Sequence, residues 1–250
     1  MKNPKVSCYC ATYGRVSLLE ESVHSFLIQD YDGEKELIIL NDFSDQTIYF
    51  DHPQIKIYNY KKKESLLGKK FNDCVKYCTG EILFPWEDDD IYLSNKISFS
   101  VNKMISNKTK IFHTRNAFYE LSSENIMNAF NYFQADLLYH TNLCIYKDDF
   151  EKAGGYYEYD GIDLDVISMN RFFASEKYVS EKIDIKDFFY LYRLSTTNSY
   201  HATWLSHGKE GISKEAEKYI DGLRKDIVLG DYYLNPHWKY DYEFFCRKIH

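Results

Sequence analysis

The strongest constraint on this chain is a regular alternation of strand-like and helix-like segments over its first ~90 residues. Apolar runs predict strands at residues 6–11, 37–40, 55–60 and 81–86. Leu19, Val23 and Phe26 recur at helical spacing and predict a helix that ends near Gln29. A second helix is predicted around residues 71–78. Such alternation predicts an α/β fold with a mostly parallel central sheet flanked by helices.

Polar clusters follow three of these predicted strands, at residues 12–15, 41–45 and 87–90. In sheets of this kind, ligands bind at the carboxyl ends of the strands. We therefore expect residues that are far apart in the sequence to line one crevice.

The third cluster is the acidic run Glu87-Asp88-Asp89-Asp90. Four adjacent carboxylates repel one another, and a divalent cation that prefers oxygen ligands would remove that repulsion. The alternative is a solvated loop with an aspartate that caps the next helix. The position between an apolar strand and an amphipathic helix favours a metal site.

The other two clusters each allow two interpretations. Asp42 could hydrogen-bond a base or a ribose, but it could equally form a local turn. Tyr13 could stack on a base and Arg15 could meet a phosphate. The alternative for residues 12–15 is a turn that opens a helix, with an arginine extending to solvent.

Composition excludes several classes of protein. The net charge is -7, and no basic stripe indicates a nucleic-acid partner. The six cysteines lack zinc-ligand spacing, so free thiols in a reducing compartment are expected. No apolar run reaches the length of a membrane span, and the first residues do not resemble a signal peptide. These features predict a cytoplasmic protein.

The order of the clusters resembles glycosyltransferase family 2, whose members have the GT-A fold. The resemblance spans roughly residues 5–200. In this family, Asp, Gly and Glu usually occupy the positions of Asn41, Phe43 and Ile162. The motifs that carry the resemblance are Ala11-Thr12-Tyr13-Gly14-Arg15, Asn41-Asp42-Phe43-Ser44, Trp86-Glu87-Asp88-Asp89-Asp90, Gly154-Gly155-Tyr156, Gly161-Ile162-Asp163 and Tyr192-Arg193-Leu194.

The resemblance implies a GT-A-type, Rossmann-like single domain over residues 1–200. Residues 1–92 would bind the nucleotide-sugar and residues 93–200 the acceptor. Residues 201–250 would form a small C-terminal helical and aromatic extension.

The resemblance also implies residue roles. Asp163 would be the general base, with Asp165 in reserve. A Mn2+ or Mg2+ ion would be held by Asp88, Asp89 and Asp90. Contacts to the nucleotide-sugar would come from Thr12, Tyr13, Arg15, Asp42, Asp88 and Arg193.

The implied reaction is a metal-dependent, inverting transfer of a sugar from a nucleotide-diphosphate donor, a UDP-sugar by resemblance. The acceptor would be a hydroxyl of a glycan or of a lipid-linked or protein-linked molecule. One alternative is a carbohydrate-binding or scaffold protein that kept the fold, which the departures at Asn41, Phe43 and Ile162 allow. A sugar-phosphate nucleotidyltransferase normally has a glycine-rich phosphate loop, and only Gly14 is present here. A peripheral membrane contact through the aromatic C-terminal tail stays open; the oligomeric state is not predicted.

Overall fold

The computed structural model of the chain describes residues 3–115, 117–120, 130–133, 140–159, 164–193 and 227–248. Within these ranges, the helices are α1 (Val16–Leu27), α2 (Leu67–Tyr77), α3 (Lys96–Asn107), α4 (Lys147–Lys152), α5 (Leu164–Ser175) and α6 (Tyr242–Lys248). The strands are β1 (Val6–Thr12), β2 (Lys35–Asn41), β3 (Gln46–Tyr49), β4 (Ile55–Asn59), β5 (Ile82–Pro85), β6 (Ile91–Tyr92), β7 (Ile111–Thr114), β8 (Ala117–Glu120), β9 (Phe130–Phe133), β10 (Leu143–Tyr146), β11 (Tyr178–Glu181), β12 (Tyr190–Arg193) and β13 (Gly230–Tyr233).

The central sheet has seven strands in the order β11-β7-β10-β5-β1-β2-β4. Strands β5, β1, β2 and β4 run parallel, and β10 is antiparallel to both of its neighbours. β1 and β2 are apolar and buried because helices cover both faces of the sheet. Their register pairs Thr12 with Asn41, so the carboxyl ends of the two strands lie level. The predicted mostly parallel sheet flanked by helices is confirmed.

Two smaller sheets flank the central one. One has the order β6-β12-β8-β9, and the other pairs β3 with β13 in parallel. Sequence analysis missed β3, which follows directly after the polar cluster at residues 41–45. The pairing of β3 with β13 attaches the C-terminal segment 227–248 to the N-terminal part of the chain.

Some predicted elements differ from the structure or lie outside its described residues. The first helix ends at Leu27, slightly before the predicted Gln29. Of the predicted helical and aromatic extension over residues 201–250, residues 201–226 lie outside the described ranges, and the described part contains the helix α6. The division into residues 1–200 and 201–250 stays a prediction. Among the described residues, no helix has both the length and the apolar character that a membrane crossing requires.

Candidate active site

The acidic loop after β5 is pinned by hydrogen bonds to its backbone. The Ser22 hydroxyl on α1 donates to the Glu87 carbonyl at 2.7 Å, and the Glu87 N–H donates to the Tyr92 hydroxyl at 2.8 Å. The Trp86 N–H extends the β1–β5 pairing to Tyr9. These contacts fix the loop at the carboxyl edge of the central sheet, beside the end of β1.

Glu87, Asp88 and Asp89 converge on one point. Each offers a carboxylate oxygen, and the three oxygens all lie within 4.8 Å of one another. Arg15, the residue that precedes α1, meets this cluster from the end of β1. Its Nε donates to Asp88 Oδ2 at 3.0 Å, its Nη2 to Asp88 Oδ1, and its Nη1 to Asp89 Oδ2 at 2.9 Å. The structure therefore brings together two of the sequence-predicted clusters.

Burial sets the electrostatics of this cluster. Asp88 is fully buried, and the resulting desolvation raises its pKa to about 6, although the neighbouring Arg15 guanidinium acts in the opposite direction. A buried carboxylate of this kind requires a cationic partner to remain ionised near neutral pH.

Asp90 faces a different environment from Asp88 and Asp89. It is buried and accepts a 2.7 Å hydrogen bond from the Tyr190 hydroxyl on β12. Nearby, the Lys96 ammonium lies over the Tyr92 ring at 3.6 Å and donates to the Thr141 carbonyl. Burial lowers the pKa of Lys96 to about 7. The compact oxygen set is thus Glu87, Asp88 and Asp89, and the role of Asp90 as a metal ligand stays a prediction.

In the loop after β2, the neighbouring residues Asn41 and Asp42 make different kinds of contact. The Asn41 side chain accepts from the Phe43 N–H at 3.1 Å, which forms the local turn. Asp42 is buried and accepts from the Glu64 N–H at 2.8 Å and from the Lys70 ammonium at 2.5 Å. The turn interpretation therefore applies to Asn41, whereas the Asp42 carboxylate is held by Lys70 of α2 and by the segment that precedes this helix.

Lys70 joins the ends of β1 and β2. Besides Asp42, its ammonium reaches the Thr12 carbonyl at 2.6 Å. Lys70 is buried, and sequence analysis did not single it out. Its position on a helix with an apolar face gave no sign that its side chain reaches a strand end.

An aromatic pair stands beside this ion pair. Tyr13 and Phe43 meet edge to face with ring centroids 5.0 Å apart, and the Lys63 ammonium lies 4.7 Å from the Tyr13 centroid. Gly14 has a φ of 73°, a conformation that disfavours other residues. Among the described non-glycine residues only Lys108 has a positive φ, so the backbone at Phe43 does not require the family's glycine.

His140 connects the two halves of the chain, and sequence analysis missed it. Its Nε2 lies 3.0 Å from Glu87 Oε1, and its Nδ1 lies 3.2 Å from Asp165 Oδ2 in the first turn of α5. Burial alone would lower the pKa of His140, but Asp165 and Glu87 together raise it to about 10. The imidazolium therefore bridges the acidic cluster and the first turn of α5. A lone histidine before an apolar strand carried no signal for this role.

For two predicted site residues, Asp163 and Arg193, the structure describes no side chain. Asp163 lies outside the described residues, immediately before α5. Arg193 ends β12, and only its backbone is described. Their roles stay predictions.

Comparison with known proteins decides the family. The family model "Glycosyl transferase family 2" matches residues 7–172, which include both halves of the site described above. The chain belongs to glycosyl transferase family 2. The predicted resemblance is thereby confirmed.

Individual relatives share only limited sequence identity with this family 2 chain. WfgD of Escherichia coli, a UDP-Glc:alpha-D-GlcNAc-diphosphoundecaprenol beta-1,3-glucosyltransferase, is 25% identical over 124 residues, which cover 48% of this chain and 47% of WfgD. The chain thus spans about half the length of this curated relative.

Solved structures confirm the GT-A fold. S. aureus TarS 1-349 in complex with UDP-GlcNAc has a TM-score of 0.60 at 10% identity, covering 89% of this chain and 66% of that one. The mannosyltransferase PcManGT from Pyrobaculum calidifontis, in complex with GDP-Man and Mn2+, has a TM-score of 0.54 at 14% identity, covering 73% of this chain and 56% of that one. At these identities the likeness concerns the fold.

Proposed function

We propose that this family 2 chain is a metal-dependent, inverting glycosyltransferase that uses a UDP-sugar and a hydroxyl acceptor. The observation that carries the proposal is the convergence of Arg15, Glu87, Asp88 and Asp89 at the edge of the sheet where Asp42 and Tyr13 also lie. Membership of the family and the UDP-linked names of WfgD and TarS support this choice of donor.

The donor base has a suitable site at the ends of β1 and β2. Tyr13 and Phe43 offer aromatic surface, and Asp42 offers carboxylate oxygens held in place by Lys70 and the Glu64 N–H. Aromatic rings stack on a base, and a fixed carboxylate accepts from a base N–H or a ribose hydroxyl. Asn41 and Phe43 depart from the usual family residues, but they preserve this arrangement because the Asn41 side chain forms the turn. That supports an active enzyme over a degenerate scaffold.

The acidic cluster fits a divalent cation. Its donor set consists of hard carboxylate oxygens, which Mn2+ and Mg2+ prefer. Glu87, Asp88 and Asp89 are the described residues that would hold the ion, with Asp90 as the further candidate. When bound, such a cation neutralises charge that develops on the departing diphosphate.

The acceptor side is proposed to contain the general base. An inverting transfer needs a carboxylate that removes the proton from the acceptor hydroxyl as that oxygen attacks the anomeric carbon. Asp165 is already engaged by His140. This engagement favours Asp163, two residues earlier, as the base.

The proposal is tested by thermal shift with UDP, GDP, ADP and their sugar conjugates, each with and without Mn2+. A ligand that binds only the folded state raises the melting temperature. We expect a shift with UDP and UDP-sugars that requires Mn2+, and transfer activity that EDTA removes. Asp148→Asn, which alters an exposed carboxylate on α4, serves as the matched control. If no nucleotide produced a shift in the presence of metal, the scaffold alternative would replace this proposal.

A further inference from the structure

Arg15 makes an unusually complete contact with the acidic cluster. Its guanidinium engages both oxygens of Asp88 and one oxygen of Asp89, through three different nitrogen atoms. Such bidentate geometry is the strong form of an arginine–carboxylate pair. Only about 15% of the Arg15 side chain is exposed, and none of the Asp88 side chain is. Arg15 is therefore built into the cluster as its resident positive charge.

The same oxygen atoms are those that a divalent cation would need. The cluster of Glu87, Asp88 and Asp89 has Asp88 at its buried end, and Arg15 already occupies both Asp88 oxygens. A cation that recruits Asp88 and Asp89 must displace the guanidinium at least in part. Displacing it leaves an arginine without its partners in a mostly buried place, which is costly.

A nucleotide diphosphate would remove that cost. Phosphate oxygens bind a guanidinium with the same fork geometry that a carboxylate uses. Arg15 precedes α1 directly after the Gly14 turn, so its side chain starts at the edge where the donor is proposed to lie. A diphosphate in the crevice would accept the guanidinium as the cation takes the carboxylates.

We propose that Arg15 and the divalent cation compete for Asp88 and Asp89, and that the donor diphosphate resolves the competition by binding Arg15. The cation then binds weakly to the free protein and tightly only together with the nucleotide. This inference rests on the proposed function, but it concerns the order of binding and not the reaction.

The test measures Mn2+ binding directly, by the electron paramagnetic resonance signal of free Mn2+ during titration. Arg15→Gln removes the competing charge, and we expect it to bind Mn2+ at least about tenfold more tightly than the wild type when nucleotide is absent. Arg15→Lys keeps the charge but cannot bridge both aspartates, so it should fall between the two. Arg247→Gln on the exposed face of α6 makes the same change in net charge and should leave Mn2+ affinity unchanged.

UDP provides the second arm of the experiment. In the wild type we expect UDP to tighten Mn2+ binding about tenfold or more, and in Arg15→Gln to tighten it less, because the competition is already gone. Asp89→Asn in the Arg15→Gln background should abolish the gain, which places the ion at this cluster. Melting temperatures of all variants report whether each one is folded.

The outcomes separate this inference from the proposed function. If Arg15→Gln bound Mn2+ no more tightly than the wild type, while UDP still promoted binding in both, the competition would be refuted and the metal site would stand. If no variant bound Mn2+ with or without UDP, although UDP itself bound by calorimetry, both the competition and the metal site would be refuted.

Discussion

Two groups of adjacent acidic residues, Glu20–Glu21 on α1 and residues 87–89 after β5, have hydrogen-bond and ion-pair partners that differ in kind. On α1 itself, Glu20 accepts from the Tyr232 hydroxyl at 2.9 Å and the Asn235 N–H at 2.8 Å. Glu21 accepts from the Lys239 N–H at 3.1 Å and the Tyr242 hydroxyl at 2.9 Å, with the Lys239 ammonium further away at 3.6 Å. The cluster at residues 87–89 is held instead by a guanidinium and an imidazole.

The difference indicates what each group is for. A carboxylate satisfied by backbone N–H and hydroxyl donors has fixed partners that a ligand cannot easily replace. A carboxylate satisfied by cationic side chains can exchange them for another cation. We infer that the Glu20–Glu21 pair attaches the C-terminal segment to α1, whereas the 87–89 cluster receives a ligand.

Asp88→Asn provides the largest expected contrast. The substitution removes a carboxylate from the proposed cation site beside the donor's diphosphate. We expect turnover to fall by about 1000-fold, the scale on which preorganised electrostatic groups act. The free energy of unfolding should fall by only about 1 kcal/mol, a few degrees in melting temperature, because the asparagine keeps one acceptor oxygen and Asp89 still pairs with Arg15. Steady-state transfer assays and calorimetry check the two halves of this expectation. Asp148→Asn should be silent in both, and retained turnover in Asp88→Asn would remove this residue from the site.

Glu21→Ala should show the reverse pattern. It leaves the Lys239 N–H and the Tyr242 hydroxyl without an acceptor in a buried interface, which costs about 3 kcal/mol of unfolding free energy. Urea denaturation measures the loss, and activity per folded molecule should stay near that of the wild type. Glu21→Gln keeps an acceptor oxygen and should lose less. A loss of activity without a loss of stability would contradict the structural role.

The sequence predicts those parts of the structure that depend on local patterns of apolar and polar residues. The parallel strands follow from apolar runs such as 37–40, and the crevice follows from polar residues at their carboxyl ends. The pairing of β3 with β13 has no such signal, because each is four residues long and they are far apart in the chain. Only tertiary packing selects that partnership.

The site shows the same limit. The acidic run is visible in the sequence, but the direction of each side chain is not: Asp88 and Asp89 face Arg15, whereas Asp90 faces Tyr190. His140 and Lys70 acquire their partners from elements far along the chain. Residue type and spacing predict the chemistry of a strand end, and packing decides which cation meets which carboxylate.

A third carboxylate, that of Glu36, extends the comparison because its contribution to stability depends on pH. Glu36, at the amino end of β2, lies at the opposite edge of the sheet, and Ser7 and Thr79 donate to it. Burial alone would raise the pKa of Glu36, but these hydrogen bonds lower it from 4.5 to about 2. A lowered folded-state pKa means that its stabilisation is present above pH 4.5 and is lost as the pH falls toward 2.

Glu36→Gln should therefore lower stability at pH 7 by about 2 kcal/mol. The difference in unfolding free energy between variant and wild type should shrink as the pH falls from 4.5 toward 2. Urea unfolding at several pH values measures this difference, and turnover at pH 7 should be unaffected. A difference that did not change with pH would show that the charge of Glu36 is not what stabilises the fold.

The smallest effect is expected at His140, which links the 87–89 cluster to the first turn of α5. His140→Gln can hold one of the two carboxylates but not both, so the helix that follows Asp163 should be less precisely placed against the donor. We expect kcat to fall about tenfold while the KM for the donor changes little, because misplacement affects the reacting geometry more than donor binding. His113→Gln alters another buried histidine, one hydrogen-bonded to Ser180, and should leave kcat near the wild-type value. Equal losses of kcat in both variants would show that His140 contributes only to packing. A rise in the donor KM alone would show that His140 acts in donor binding.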